Sequence, residues 1–243
     1  MSIASPAAPD DPGHQLTAAG TLRGEPANLA RRVWLFIELL LLFVAAPLAM
    51  DALVHQQRIP LFVALLPVLL VVVLILIADS TFQLRRELSR SFGWRTALTI
   101  MLTFAIGGAG VAYWVHEVHP AWFMELPRER PETWKRVMLI YPIGSVLTQE
   151  LIYRTFYFHR YGPLFGRQIR LALLLNALLF GLGHVVVGTE FALISTSVTG
   201  LLFAVRYYTA RSFWAVWLEH TLWGWLVFTI GLNRYFFTGI ANF

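Results

Sequence analysis

Arg136-Val-Met-Leu-Ile-Tyr-Pro-Ile-Gly-Ser-Val-Leu-Thr-Gln-Glu-Leu-Ile-Tyr-Arg-Thr-Phe-Tyr-Phe158 is an apolar run of membrane-spanning length, about 20 residues for a helix, with polar groups sunk into it between Thr148 and Arg154. A charged side chain at bilayer depth costs on the order of 3 kcal/mol on insertion scales, so Glu150 is a functional candidate by default. On a helix Glu150 and Arg154 share a face one turn apart, where an ion pair makes both tolerable. Gln149 points about 100° away from Glu150, so the two cannot do one job without rotating the helix. Pro142 and Gly144 predict a kink.

The rest of the chain repeats the pattern of apolar runs. Of 243 residues 57% are hydrophobic and 14% charged. The apolar residues gather into blocks instead of alternating, which predicts an all-α, polytopic transmembrane helical bundle. About seven spans are expected, at Trp34–Met50, Pro60–Ala78, Ala97–Val115, Arg136–Phe158, Leu171–Val187, Phe191–Val205 and Ser212–Leu232. The sixth is short. Gly107, Gly108 and Gly110 in the third admit close approach of another helix. Ser80–Arg95 reads as an interfacial amphipathic segment with an anchoring role. Trp114, Trp122 and Trp134 mark a membrane interface.

Met1–Ala30 is rich in Ala, Pro, Gly and Asp and has no apolar core, so it reads as a disordered polar tail without a cleavable signal peptide. Residues 31–243 form one membrane domain. Placing the basic residues on alternate sides gives Arg23, Arg31, Arg32, Arg85, Arg86, Arg90, Arg95, Arg160, Arg167, Arg170, Arg206 and Arg211 on one face of the membrane. Arg58, Arg128, Arg130, Lys135, Arg136 and Arg234 fall on the other. The positive-inside rule then puts the N-terminus in the cytoplasm and the C-terminus outside a cell (inner) membrane. These short basic clusters are topology signals and exclude a nucleic-acid patch; the partners expected are membrane lipid and a membrane-associated protein or peptide. There is no cysteine, which leaves carboxylates and imidazoles for any site chemistry.

Three further ionisable residues lie inside later runs. His184 follows Phe180-Gly-Leu-Gly at the end of the fifth, where the glycines leave room for packing or a ligand; Glu219 and His220 are adjacent in the seventh. For either histidine alone an interhelical hydrogen bond is the plainer reading. Together with Glu150 on a third helix they favour a site. Asn176, two helical turns before His184, is placed to support it or simply to pack. Glu219 reads as an acid paired with Arg206 or lining a polar cavity. Depth is in tension with convergence: His184 lies about 21 Å past Arg170 and His220 about 13 Å past Arg211 at 1.5 Å per residue.

The ordered set Gln149-Glu150-x-x-x-Arg154, Phe180-x-x-x-His184 and His220-x-x-x-Gly224, each on its own span, resembles the CPBP (CAAX protease and bacteriocin-processing, ABI-type) family of intramembrane proteases over about Arg136–Leu232. In that family the motifs read Glu-Glu-x-x-x-Arg, Phe-x-x-x-His and His-x-x-x-Asn. The resemblance implies an endopeptidase in which the first glutamate and the second-motif histidine activate water while the third-motif His and Asn stabilise the oxyanion. Here position 149 is Gln and position 224 is Gly. A neutral amide cannot act as general base, although amides serve well as oxyanion donors. Three readings follow: Glu150 takes the role, Glu219 supplies it from the seventh span, or the protein is a catalytically inactive membrane scaffold or immunity protein. The leading expectation is an intramembrane endopeptidase with Glu150 and His184 handling the water, His220 at the oxyanion and Arg154 positioning the first motif. No cofactor is expected. Zinc is the minority alternative, since Glu plus two His is a minimal ligand set. A transporter ranks last, for no inverted repeat is visible. The substrate stays open between a prenylated CAAX protein, a peptide precursor and a sorting-signal protein.

Overall fold

The computed structural model describes residues 28–59 and 61–236, and the described chain is helical without strands. The expected polar tail, apart from its last three residues, lies outside the described residues. Helix α1 (Leu29–His55) starts at the Asn28 cap, whose side chain accepts from the Arg31 N–H. It is followed by α2 (Leu61–Ala78), the short α3 (Leu84–Leu88), α4 (Trp94–Val118) and α5 (Glu125–Glu129). Residues 131–165 form one long composite helix, α6. Then come α7 (Ile169–Leu182), α8 (Glu190–Ala210) and α9 (Phe213–Ile230).

All seven expected apolar runs fall in helices. Four stretches are long and apolar enough to cross a membrane: Leu29–His55, Trp94–Val118, Ile169–Val187 and Glu190–Ala210. The run in α6 is broken by Gln149, Glu150 and Arg154, and that in α9 by Glu219 and His220, all of them turned inward: Glu150, Arg154 and Glu219 are 0% exposed. The sixth run is longer than its apolar residues imply. Its helix continues to Ala210 because Arg206 is neutralised by Glu219 and Tyr207 is packed into the core.

Helix α6 is the hub. Its ladder widens into π-helical turns at Pro142–Val146 and Leu151–Phe156, on either side of Glu150, a distortion that concentrates at functional sites. Pro142 has no N–H to give the Met138 carbonyl one turn earlier. The Trp225 indole of α9 donates there instead at 2.9 Å, and Trp217 donates to the Pro142 carbonyl at 2.8 Å. Helices α6 and α9 are thus stitched along their length, with Trp134 adding a bond to Thr229 at 3.1 Å.

On the other side of α6, Leu35, Leu39 and Phe43 of α1 are buried at helical spacing, and Phe43 meets the rings of Tyr153, Phe156, Tyr157 and Tyr161. Glu38 takes two 2.8 Å bonds from Arg160 there. Helices α7 and α8 pack so closely that a methyl at Gly181 would overlap Ser197, and one at Gly200 would press on Phe180. Gly107 similarly admits Trp223 to α4 and Gly108 admits Leu226, whereas Gly110 faces open space.

The segment Ser80–Arg95 departs from the expected interfacial helix. Before α4 begins at Trp94 only Leu84–Leu88 is helical, and it docks onto α8 and α9. Tyr207 donates to the buried Glu87 at 2.5 Å, Trp214 to the Leu88 carbonyl at 2.7 Å and Ser212 to the Arg90 carbonyl at 2.9 Å. Specific polar partners therefore hold it against the bundle.

Candidate active site

Three helices bring the singled-out residues together. From α6, the Glu150 carboxylate accepts a 2.7 Å hydrogen bond from His220 Nδ1 of α9 through Oε1, while Oε2 lies 3.3 Å from Arg154 Nε. The i,i+4 pair expected from spacing is present, and both partners are completely buried. Among the described residues the Arg154 guanidinium makes no hydrogen bond, and it lies over aromatic rings, its Cζ 4.5 Å from the Phe180 ring centroid and 5.7 Å from that of Phe203. Cation–π attraction, stronger when desolvated, supplements the single ionic partner.

Phe180 of α7 is the residue on which the motifs meet. Its ring touches Arg154, His184 at 4.8 Å between centroids and His220 edge-on at 5.6 Å. Phe203 of α8 closes the other face of His220, stacked at 4.6 Å. His184 and His220 nevertheless meet on the Phe180 ring, and α7 stops at Leu182. His184 sits beyond the Gly183 cap in a turn leading into the 3-10 helix Val185–Val187. His55, at the end of α1, holds that turn by bonding the Val186 carbonyl at 2.9 Å. Gly183 is required by the close approach of the Tyr153 hydroxyl, which a Cβ would overlap.

The two histidines are held differently. His184 Nδ1 donates to the Phe180 carbonyl at 2.8 Å, which leaves the ring lone pair on Nε2 of a half-buried side chain. His220 Nδ1 faces Glu150, and its Nε2 lies 3.2 Å from the Tyr141 hydroxyl. Glu150 therefore bonds His220 and not His184.

Gln149 points elsewhere, as the helical angle requires, donating to Ser145 Oγ at 2.7 Å and keeping a buried Oε1 without a donor among the described residues. Asn176 donates to the Tyr153 carbonyl at 2.6 Å and so braces the π-turn that carries Arg154. Glu219 is occupied by Arg206 through bonds of 2.7 and 3.1 Å and by Thr103 at 3.0 Å. At Gly224 an added Cβ would overlap the Tyr141 ring. Sequence reasoning missed Tyr141 and Phe203: each meets His220 from a separate helix, and neither belongs to a spaced motif. The one hint was Gly224, a missing side chain that some neighbour had to replace.

Residues 131–226 match the family model described as type II CAAX prenyl endopeptidase Rce1-like. This part of the chain is similar to that family. The matched segment contains Gln149, Glu150, Arg154, Phe180, His184, His220 and Gly224, the residues on which the CPBP resemblance rests. No curated protein and no solved structure matches the chain. The Rce1-like segment and the apolar helices agree in pointing to a membrane protein, and the family description is that of an endopeptidase. Among the described residues no group of three or more His, Cys, Asp or Glu side chains is arranged to hold a metal ion.

Proposed function

We propose that the protein is an intramembrane endopeptidase that hydrolyses a peptide bond of a membrane-associated protein, with a prenylated CAAX-type chain end as the first substrate class to test. The carrying observation is the meeting of α6, α7 and α9 at Phe180, which places Glu150, Arg154, His184 and His220 in one buried cluster. All seven apolar helices span in this reading. The N-terminus is cytoplasmic, and the C-terminus lies outside the cell membrane.

His184 Nε2 is the base. It takes a proton from water as the water oxygen bonds to the scissile carbonyl carbon, and later returns that proton to the departing amine nitrogen. Gln149 cannot take the proton, and its amide is turned toward Ser145. His220, steadied by Glu150, lines the oxyanion side of the site. Glu150 thus acts through His220, and Arg154 balances its charge. No step is routed through a metal.

A second reading, an inactive scaffold or immunity-type protein, is favoured by one specific feature: Glu150 is fully buried between Arg154 and His220, an arrangement that also suits a purely structural carboxylate. Purified protein incubated with a farnesylated CAAX peptide in detergent separates the two. The proposal expects a defined product from wild type and none from His184→Ala. Equal cleavage by both removes His184 from the chemistry.

A further inference from the structure

The contact between Tyr141 and Gly224 gives this site a residue that no spaced motif contains. An ionised carboxylate only accepts hydrogen bonds, so the 2.7 Å bond to Glu150 puts the His220 ring proton on Nδ1. In the neutral ring Nε2 is then an acceptor, and the Tyr141 hydroxyl, 3.2 Å away, is its donor. His220 is gripped at both nitrogens, by α6 residues about two and a half turns apart. The phenol reaches this position only because residue 224 lacks a side chain: a Cβ there would overlap the ring. Phe228, one turn further along α9, packs against Tyr141 edge-to-face at 5.3 Å and completes the slot. Immediately after it, the Pro142 carbonyl is fastened to Trp217 of the same helix. Tyr141 is thus held on three sides with its hydroxyl aimed at His220.

We propose that Tyr141 is a positioning residue of the active site, fixing the tautomer and ring orientation of His220 from Nε2, and that Gly224 serves to admit it. A tyrosine kept only for packing would be replaced by Phe without consequence, since the ring and its Phe228 and Gly224 contacts persist. A positioning tyrosine would not. The inference deepens the proteolytic reading and depends on it only for the cleavage arm of its test.

The test uses the full chain in detergent, with nitrogen-15-labelled histidine and the His220 signals assigned by comparison with His220→Gln. Tyr141→Phe is expected to shift the His220 Nε2 resonance and to lower kcat at least about tenfold with KM within about twofold, a loss seated in the reacting state. Gly224→Ala, which expels the ring, is expected to give the same spectrum as Tyr141→Phe. Tyr141→Ala combined with Gly224→Asn, which puts an amide donor into the vacated space, is expected to recover the Nε2 shift and more kcat than Tyr141→Ala alone. An unchanged His220 spectrum in Tyr141→Phe overturns the inference, as does wild-type kcat in that variant. If wild type cleaves nothing, the proteolytic reading fails while the spectra still decide the place of Tyr141.

Discussion

Replacing Glu150 tests the energetics of the cluster before it tests catalysis. Glu150 and Arg154 are both 0% exposed, 3.3 Å apart, and Arg154 has no other anionic partner among the described residues, only the faces of Phe180 and Phe203. Removing one member of such a pair leaves an uncompensated buried charge, a loss of about 3–5 kcal/mol, whereas removing both is far less harmful. Glu150→Gln and Arg154→Met are each expected to destabilise by about 3 kcal/mol or more. For a chain of this length that lowers the melting temperature by roughly 6–12 °C. The double variant should fall well short of the sum, with a coupling of at least about 2 kcal/mol. The nine tryptophans make intrinsic fluorescence in detergent a direct readout of melting. Additivity within about 0.5 kcal/mol, the behaviour of independent sites, would refute a desolvated ion pair. Activity measured on a Glu150 variant is therefore interpretable only per folded molecule.

Trp225→Phe deletes the donor that replaces the N–H missing at Pro142 and should lower stability by about 1–3 kcal/mol; adding Pro142→Ala, which restores a backbone donor to Met138, should recover part of that in the same melt. Glu219→Gln should keep cleavage per folded molecule, because Glu219 is engaged by Arg206 and Thr103, whereas loss of all cleavage would reinstate it as the base. Asp79, at the end of α2, is partly buried, which opposes ionisation, yet Thr81 and His159 outweigh burial and hold its carboxyl below the usual range. A depressed folded-state pKa gives stability that is present above the unfolded value near 4 and lost as pH falls through the folded one. The acid side of the melting-temperature profile should therefore flatten in Asp79→Asn.

Legibility differed between contacts along one helix and contacts between helices. The apolar runs located every long helix, and the Glu150–Arg154 pair followed from helical spacing alone. Glu219 with Arg206 was readable as the plainer of two alternatives. Three things were not readable. The choice of His220 over His184 by Glu150 depends on where α7 ends, and the turn at Gly183 that sets His184 is held by Tyr153 and His55 from other helices. The length of α8 depends on an ion pair that hides Arg206. Tyr141 depends on an empty position on another helix, and absence of a side chain carries no periodic signal.

The most direct measurement is cleavage of a farnesylated CAAX peptide by purified wild type and Gln149→Glu side by side, with His184→Ala as control. Wild type is expected to give a defined product, lost in His184→Ala, because the base is the histidine and Gln149 serves as an amide. A silent wild type that gains cleavage on Gln149→Glu would contradict it, and would identify a fold kept after its chemistry was lost.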